Sequence, residues 1–219
     1  MPPASTYYLE RRWRSGAEEG FTRMALDFKT LLGEAEVAHG HLCAGQILGV
    51  RMAMLGLERL GISDPRGADR KRLVTYVEID RCATDAIAVV TGCRLGKRAL
   101  KFRDWGKMAA TFVDLGSGRA IRIAAKESSK QRARELYPEI ADKNKQQMHA
   151  YREMADRELF SEEWVAVTVE AREMPGYKSA RVVCAACGEG INYDREVERD
   201  GQTLCLGCAD VARRYYRAL

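Results

Sequence analysis

The sequence has no long apolar run. Nowhere in its 219 residues do about 18 uncharged apolar residues follow one another, so no membrane-spanning helix is expected. The opening MPPASTYYLERRWRSG likewise lacks the apolar stretch that a secretory signal needs, and the expectation is a cytoplasmic protein without membrane attachment. Charge of one sign is also wanting: 36 Lys and Arg stand against 31 Asp and Glu, a net charge of +5. Such a balance helps a polyanion bind without singling one out. No fixed-period repeat or low-complexity tract is present, and Gly96-Lys97-Arg98 lacks the phosphate-loop pattern. An even set of cysteines is missing too. Seven thiols, four of them in two C-x-x-C pairs, fit metal binding in a reducing compartment better than a secreted disulfide framework.

What is present suffices for one core domain and a small appendage, with 46% apolar and 31% charged residues. Phe21, Met24, Ala25, Phe28, Leu31 and Leu32 recur at spacings of three and four, predicting a half-buried helix over 21–38. After HGHLCAG, the apolar positions from Ile47 to Leu60 predict a second helix, buried nearly all round and ended by Gly61. SDPRGADRK reads as a surface connection and LVTYVEI as a strand, while DAIAVVTG suits either a strand or a helix. Two β-rich runs around Gly116-Ser117-Gly118 predict a hairpin. The charged stretch 127–158 reads as a helical excursion broken at Pro138, and a final strand is expected over 164–169. A Pro-Gly linker near Pro175 then leads to the C-terminus.

Two constellations carry chemistry. Cys184, Cys187, Cys205 and Cys208 form knuckles in which each C-x-x-C offers two thiolates to one ion, so that four sulfurs close a tetrahedron around structural zinc. The second pair runs into ADVARRYYR, which places Cys205 and Cys208 where a helix begins, similar to treble-clef and zinc-ribbon modules. So small a module has too little apolar surface to fold without its ion. From Arg181 to Leu219 six basic residues face six acidic ones, a poor footprint for phosphates, which makes nucleic acid an unlikely partner. A helix carrying Arg213, Arg214 and Arg217 beside Tyr215 and Tyr216 keeps a zinc-finger nucleic-acid-binding regulator as an alternative.

The second constellation is His39-Gly40-His41-Leu42-Cys43, which concentrates two of the three histidines and a thiol ahead of a buried helix. Cys82 and Asp85 in RCATDA, and Cys93 in TGCRLGK, are candidates to complete a site for a second transition metal such as zinc, nickel, copper or iron. The competing readings are small buried cysteines, or a thiol-dependent enzyme with Cys43 activated by His39 or His41. Lys97, in GKR, and Lys107, in DWGK, are candidate contacts for an anionic ligand.

HGHLCAGQILGVRM, EIDRCATDAIAVVTGCRLGKRAL and DWGKMAATF together resemble the FmdE family, the E-type component of formylmethanofuran dehydrogenase and its homologues, over about residues 20–170. The terminal knuckles look like the zinc module appended in many of its members. The resemblance implies an α+β domain, residues 1–174, in which a helix precedes a strand, a second helix and three further strands in a mixed sheet. Residues 175–219 would form the zinc-binding module. It favours a helix for DAIAVVTG, and implies a homodimer and a metal pocket onto which His39, His41, Cys43, Cys82 and Cys93 map. Ala44 stands where the family usually has Pro, and Arg94 and Arg98 replace residues that are often Thr and Gly. The resemblance points to a metal-binding accessory protein of a molybdenum or tungsten pterin enzyme complex, rather than to a catalyst in its own right.

Overall fold

Capping chemistry sets both ends of the first helix. The computed structural model describes residues 27–217. Helix α1, Phe28–His39, is capped by Asp27, whose carboxylate accepts the Thr30 N–H at 2.9 Å. It ends at Gly40, whose φ of 93° lets the cap N–H return to Glu36. The part of the expected first helix before Asp27 lies outside the described residues. Helix α2, Ala44–Leu60, starts at Cys43 and ends at Gly61 in the left-handed region. Ile47, Val50, Met52 and Ala53 are all fully buried, so α2 is enclosed on nearly every side, as its sequence predicts. Glycines make that enclosure possible. A methyl group at Gly49 would overlap the backbone of Ala83, and one at Gly56 would overlap the Phe112 ring.

Strand β1, Leu73–Val77, is followed by helix α3, Cys82–Thr91, so DAIAVVTG is helical and Gly92 caps it. Next come β2, Leu100–Phe102, then β3, Ala109–Asp114, and β4, Ala120–Ala125. The excursion forms α4, Ser128–Leu136, α5, Lys143–Glu153, and the single turn α6, Asp156–Leu159, with Pro138 separating the first two. Strand β5, Phe160–Val165, completes a mixed sheet of order β2-β1-β3-β4-β5. Only β1 and β2 are parallel, joined by α3 as their crossover. Four strands thus follow α3, the short β2 being the addition to the expected pattern.

Strand β5 begins earlier than the expected 164–169. It pairs along all of β4, from Ala125 opposite Phe160 to Ala120 opposite Val165. Val167 and Val169, past its end, pack instead with Val74, Val113 and Ala120 on the sheet face away from α2. The other face presents Phe112, Ile121 and Ile123 to the helical layer, the alternation a sheet buried on both sides requires. The excursion also contributes to the core. Ala133, Ala150 and Tyr151 are buried in the main core, and Arg51 of α2 donates to the Tyr151 carbonyl at 2.8 Å.

The Pro-Gly segment is held in place. A 3-10 turn, Ala171–Glu173, lies beside β2, where Arg103 donates twice to the Glu173 carboxylate at 3.0 and 2.9 Å. Arg98 stacks 4.2 Å from the Tyr193 ring centroid. Beyond it two small hairpins form, β6, Val182–Val183, with β7, Gly190–Ile191, and β8, Val197–Arg199, with β9, Gln202–Leu204. Helix α7, Leu206–Ala209, follows. It is short. After a 3-10 turn at Val211–Arg213 the chain is irregular, so the helix expected to carry Arg214, Tyr215, Tyr216 and Arg217 does not form among the described residues. Its place is taken by a return of Arg214 to the knuckles, where it donates to the Gly207 carbonyl at 2.7 Å.

Candidate metal centres

The C-terminal tetrad is built from two turns facing each other. The first knuckle follows β6, and the Gly188 N–H folds back to the Cys184 carbonyl at 2.9 Å. The second opens α7, with Cys205 as its cap and Cys208 inside it. The β8–β9 hairpin between them delivers Cys205, whose N–H donates to Cys184 Sγ at 3.3 Å. All four sulfurs lie within 4.8 Å of one another, and those of Cys187 and Cys205 are 4.0 Å apart. Around a zinc ion with Zn–S of about 2.3 Å the sulfurs of a tetrahedron stand about 3.8 Å apart, so the cage has the size for that ion.

The protonation pattern tells the same story. Cys184 is lowered to about 6 by the N–H groups of Cys205, Cys187 and Ala186 aimed at its sulfur. Cys187 is pushed up to about 12: the Glu189 N–H works against the shift, but hydrogen bonding to Cys184, desolvation and contact with Cys208 and Cys205 prevail. Four crowded thiols cannot all ionise unaided, and a divalent cation at their centre removes the conflict. Arg214 donates to Cys208 Sγ at 2.9 Å, a positive neighbour for a cluster that would carry excess negative charge.

The second constellation sits where the C-terminal end of α1 meets the N-terminal ends of α2 and α3. His39 is the last residue of α1, the Gly40 turn reverses the chain, and Cys43 caps α2. The donor atoms of His39, His41 and Cys43 fall within 4.8 Å of one another, and the two imidazole centroids are 4.6 Å apart. Asp85, in the first turn of α3, holds His39 Nδ1 at 2.8 Å. His39 Nε2 is buried and has no hydrogen-bond partner. An imidazole fixed by a carboxylate through one nitrogen, with the other bare and next to a second imidazole and a thiol, has an arrangement that could hold a metal ion. The orphaned nitrogen and the N/S donor set both fit a borderline transition ion.

Cys82, the first residue of α3, stands beside this group. A β-carbon on Gly45 would lie 3.6 Å from Cys43 Sγ and 3.1 Å from Cys82 Cβ. Burial raises the Cys82 thiol above its ordinary range, and a hydrogen bond with Cys43 raises it further. Two residues outside the sequence-derived set shape the floor. Gln46, fully buried, donates to the Cys82 carbonyl at 2.7 Å, and Asn144 of α5 accepts the Ala44 N–H at 3.3 Å. Gln46 could have been suspected from its place one turn past Cys43, but Asn144 is a hundred positions away and left no local trace.

Residues 38–178 match the family described as FmdE, Molybdenum formylmethanofuran dehydrogenase operon. The chain belongs to the FmdE family. Residues 176–214 match the prokaryotic dksA/traR C4-type zinc finger, the span holding all four cysteines of the tetrad. A crystal structure of a tungsten formylmethanofuran dehydrogenase FmdE-like protein from Syntrophus aciditrophicus superposes with a TM-score of 0.60 at 18% identity. It covers 90% of this chain and 100% of that one, a likeness of fold. A probable S-adenosyl-L-methionine-binding protein of Archaeoglobus fulgidus is 30% identical over 198 residues, covering 82% of this chain. The FmdE chain spans only about half of that relative's length, 52%.

The remaining candidates separate within the FmdE domain. Cys93 is buried against β1, 3.5 Å from the Thr75 hydroxyl and 3.7 Å from the Leu73 carbonyl, and its thiol is raised chiefly by burial. It is not among the clustered donors and packs as a small apolar residue. Lys97 lines a cavity described below, whereas Lys107 does not; its ammonium stands 5.6 Å from the Trp105 ring centroid. Among the described residues no helix is long and apolar enough to cross a membrane.

Proposed function

We propose that the protein is a metal-binding accessory protein in which the FmdE domain holds a transition metal and the C-terminal zinc finger is a structural, protein-contacting module. One observation carries this reading: His39 Nε2 is bare and buried while Asp85 fixes Nδ1, next to His41 and Cys43. His39, His41 and Cys43 would be the ligands, with Cys82 available as a fourth donor. A bound ion would supply Lewis acidity at an open position, while the chain's residues orient the ligands and limit water to the side on which His41 is exposed. The family supports association with a molybdenum or tungsten pterin enzyme complex, and the resemblance supports a homodimer. Seven free thiols suit a cytoplasmic setting. Metal analysis of untagged protein tests the proposal. Two ions per chain are expected, and His39→Ala with Cys43→Ser should lose one while keeping the zinc. A single ion in the parent protein, or no change in the variant, refutes it.

A second reading rests on the same geometry seen as chemistry. Asp85 orients His39, and His39 lies beside Cys43 at the start of α2. That is the order of groups in a thiol nucleophile with an oriented base. The metal reading is preferred because it uses His41 and Cys82, which the nucleophile reading leaves without a role. Alkylation discriminates: a metal ligand is protected by zinc and releases it when modified, whereas a nucleophile reacts at the same rate with or without added metal.

A further inference from the structure

A cavity of about 580 Å³ opens between the outer side of α1, the C-terminal end of α3, the loop over residues 62–72 and the 3-10 turn at Leu95–Lys97. This is the size range of small-molecule sites. Arg66, Arg70, Lys71, Arg94 and Lys97 line it, and Glu34 is the one carboxylate among its walls. Glu34 pairs with Arg66. Among the described residues the other four cations form no ion pair.

Among the described residues the loop leaves Arg70 and Lys71 without an ion pair. Its two acids are used internally: Asp64 accepts from the Gly67 and Ala68 amides at 2.9 and 2.7 Å, and Asp69 pairs with Arg72 at 2.8 Å while accepting from the amides of Ser63 and Asp64. The carboxylates therefore face the loop while Arg66, Arg70 and Lys71 face the cavity. The C-terminal end of α3, at Gly92, contributes roughly half a negative charge, too little to offset them. Ala38 and Val89 give the space an apolar wall as well. Unpaired cations that line one cavity repel one another, and a bound polyanion relieves that repulsion.

We propose that this cavity binds a phosphorylated small molecule, its phosphates between Arg94, Lys97 and the Arg70–Lys71 pair and its organic body against Ala38 and Val89. A concave wall of cations with an apolar side suits a compact phosphate ester better than an extended polynucleotide. The site is separate from the metal constellation yet adjacent to it. Ala38 immediately precedes His39, and Val89 lies one helical turn beyond Asp85.

Calorimetry of the full-length, zinc-loaded protein with adenosine 5′-diphosphate and inorganic pyrophosphate as probes tests this, in about 50 mM salt. The diphosphate ester should bind more tightly than pyrophosphate. R94Q/K97Q should weaken it by about tenfold per lost cation, and Arg134→Gln, outside the cavity, should leave it unchanged. Both replaced side chains are exposed, so an unchanged melting temperature and metal content are expected. Should R94Q/K97Q unfold, Lys71→Gln must show the weakening expected for one lost cation, about tenfold. Failure of both anions to bind, or equal losses in R94Q/K97Q and R134Q, overturns the site. Pyrophosphate binding as tightly as the ester overturns the role of the apolar wall. A single-stranded RNA that binds more tightly than the ester and displaces it overturns the small-molecule assignment. None of these outcomes depends on whether the FmdE domain holds a metal.

Discussion

Replacing Asp85 separates a ligand-orienting role from a merely structural one. Its carboxylate accepts from His39 Nδ1 at 2.8 Å, which fixes the tautomer that leaves a lone pair on Nε2. Loss of such a partner weakens metal binding by about 10–100-fold, or about 1.4–2.8 kcal/mol. Asp85 has 57% of its side chain exposed while His39 has 16%, so solvent screens the charge on one side of the pair only. Asp85→Asn keeps an acceptor at the same place and loses only the charge, so its effect falls at the lower end, about tenfold. Asp85→Ala loses the acceptor too and falls at the upper end, because the His39 ring is then free to turn. The assay is cobalt or zinc titration against a competing chelator, with the thiolate-to-cobalt absorption reporting Cys43. Equal affinity in parent, Asn and Ala variants would refute the orienting role. A fall in melting temperature of the metal-free Ala variant, with no change in affinity, would make the pair a structural cap.

Stripping zinc with a chelator, or Cys205→Ser, should unfold the region from Val182 onward while the FmdE sheet persists. About 10 kcal/mol or more of folding free energy in such modules comes from the ion; limited proteolysis reads cleavage confined to the C-terminus, and an intact C-terminus refutes it. Gly56→Ala pushes a methyl group into the buried Phe112 ring and should cost about 1–3 kcal/mol by chemical denaturation. Gly33→Ala, in α1 with open space at its β-carbon, should instead stabilise by about 0.5–1 kcal/mol. Asp114 gives a pH test. Burial alone would raise its pKa, but hydrogen bonds from Arg72, Ser117 and the Gly116 amide, with the Arg72 charge, hold it below the usual carboxylate range. Its contribution to stability is therefore full above the unfolded-state value of about 3.9, falls as the pH drops below that, and is gone below the depressed folded value. Asp114→Asn should flatten the acid limb of the stability curve, and an unchanged limb would count against the pair.

Elements with a local cause can be read from the chain alone. Helix α2 was legible because its apolar positions leave no polar stripe and Gly61 stops it, and the β3–β4 hairpin because glycines mark its turn. The zinc tetrad was legible because a C-x-x-C turn sets two sulfurs side by side whatever surrounds it. Helix or strand for DAIAVVTG was not settled locally, since Ile and Val suit both; packing of α3 against Gly49 of α2 decides it. Strand β2 escaped notice because its three residues acquire their pairing only from β1. The sorting of Cys82 from Cys93 needed the tertiary structure, as both are thiols of one segment, each with an arginine beside it. One opens α3 beside Cys43, and the other lies past its far end against β1. The choice of Asp85 as His39's partner, and the gathering of Arg66, Arg70 and Lys71 with Arg94 and Lys97, belong to the same class. Long-range electrostatics depends on where helices cross, and local spacing carries no record of that.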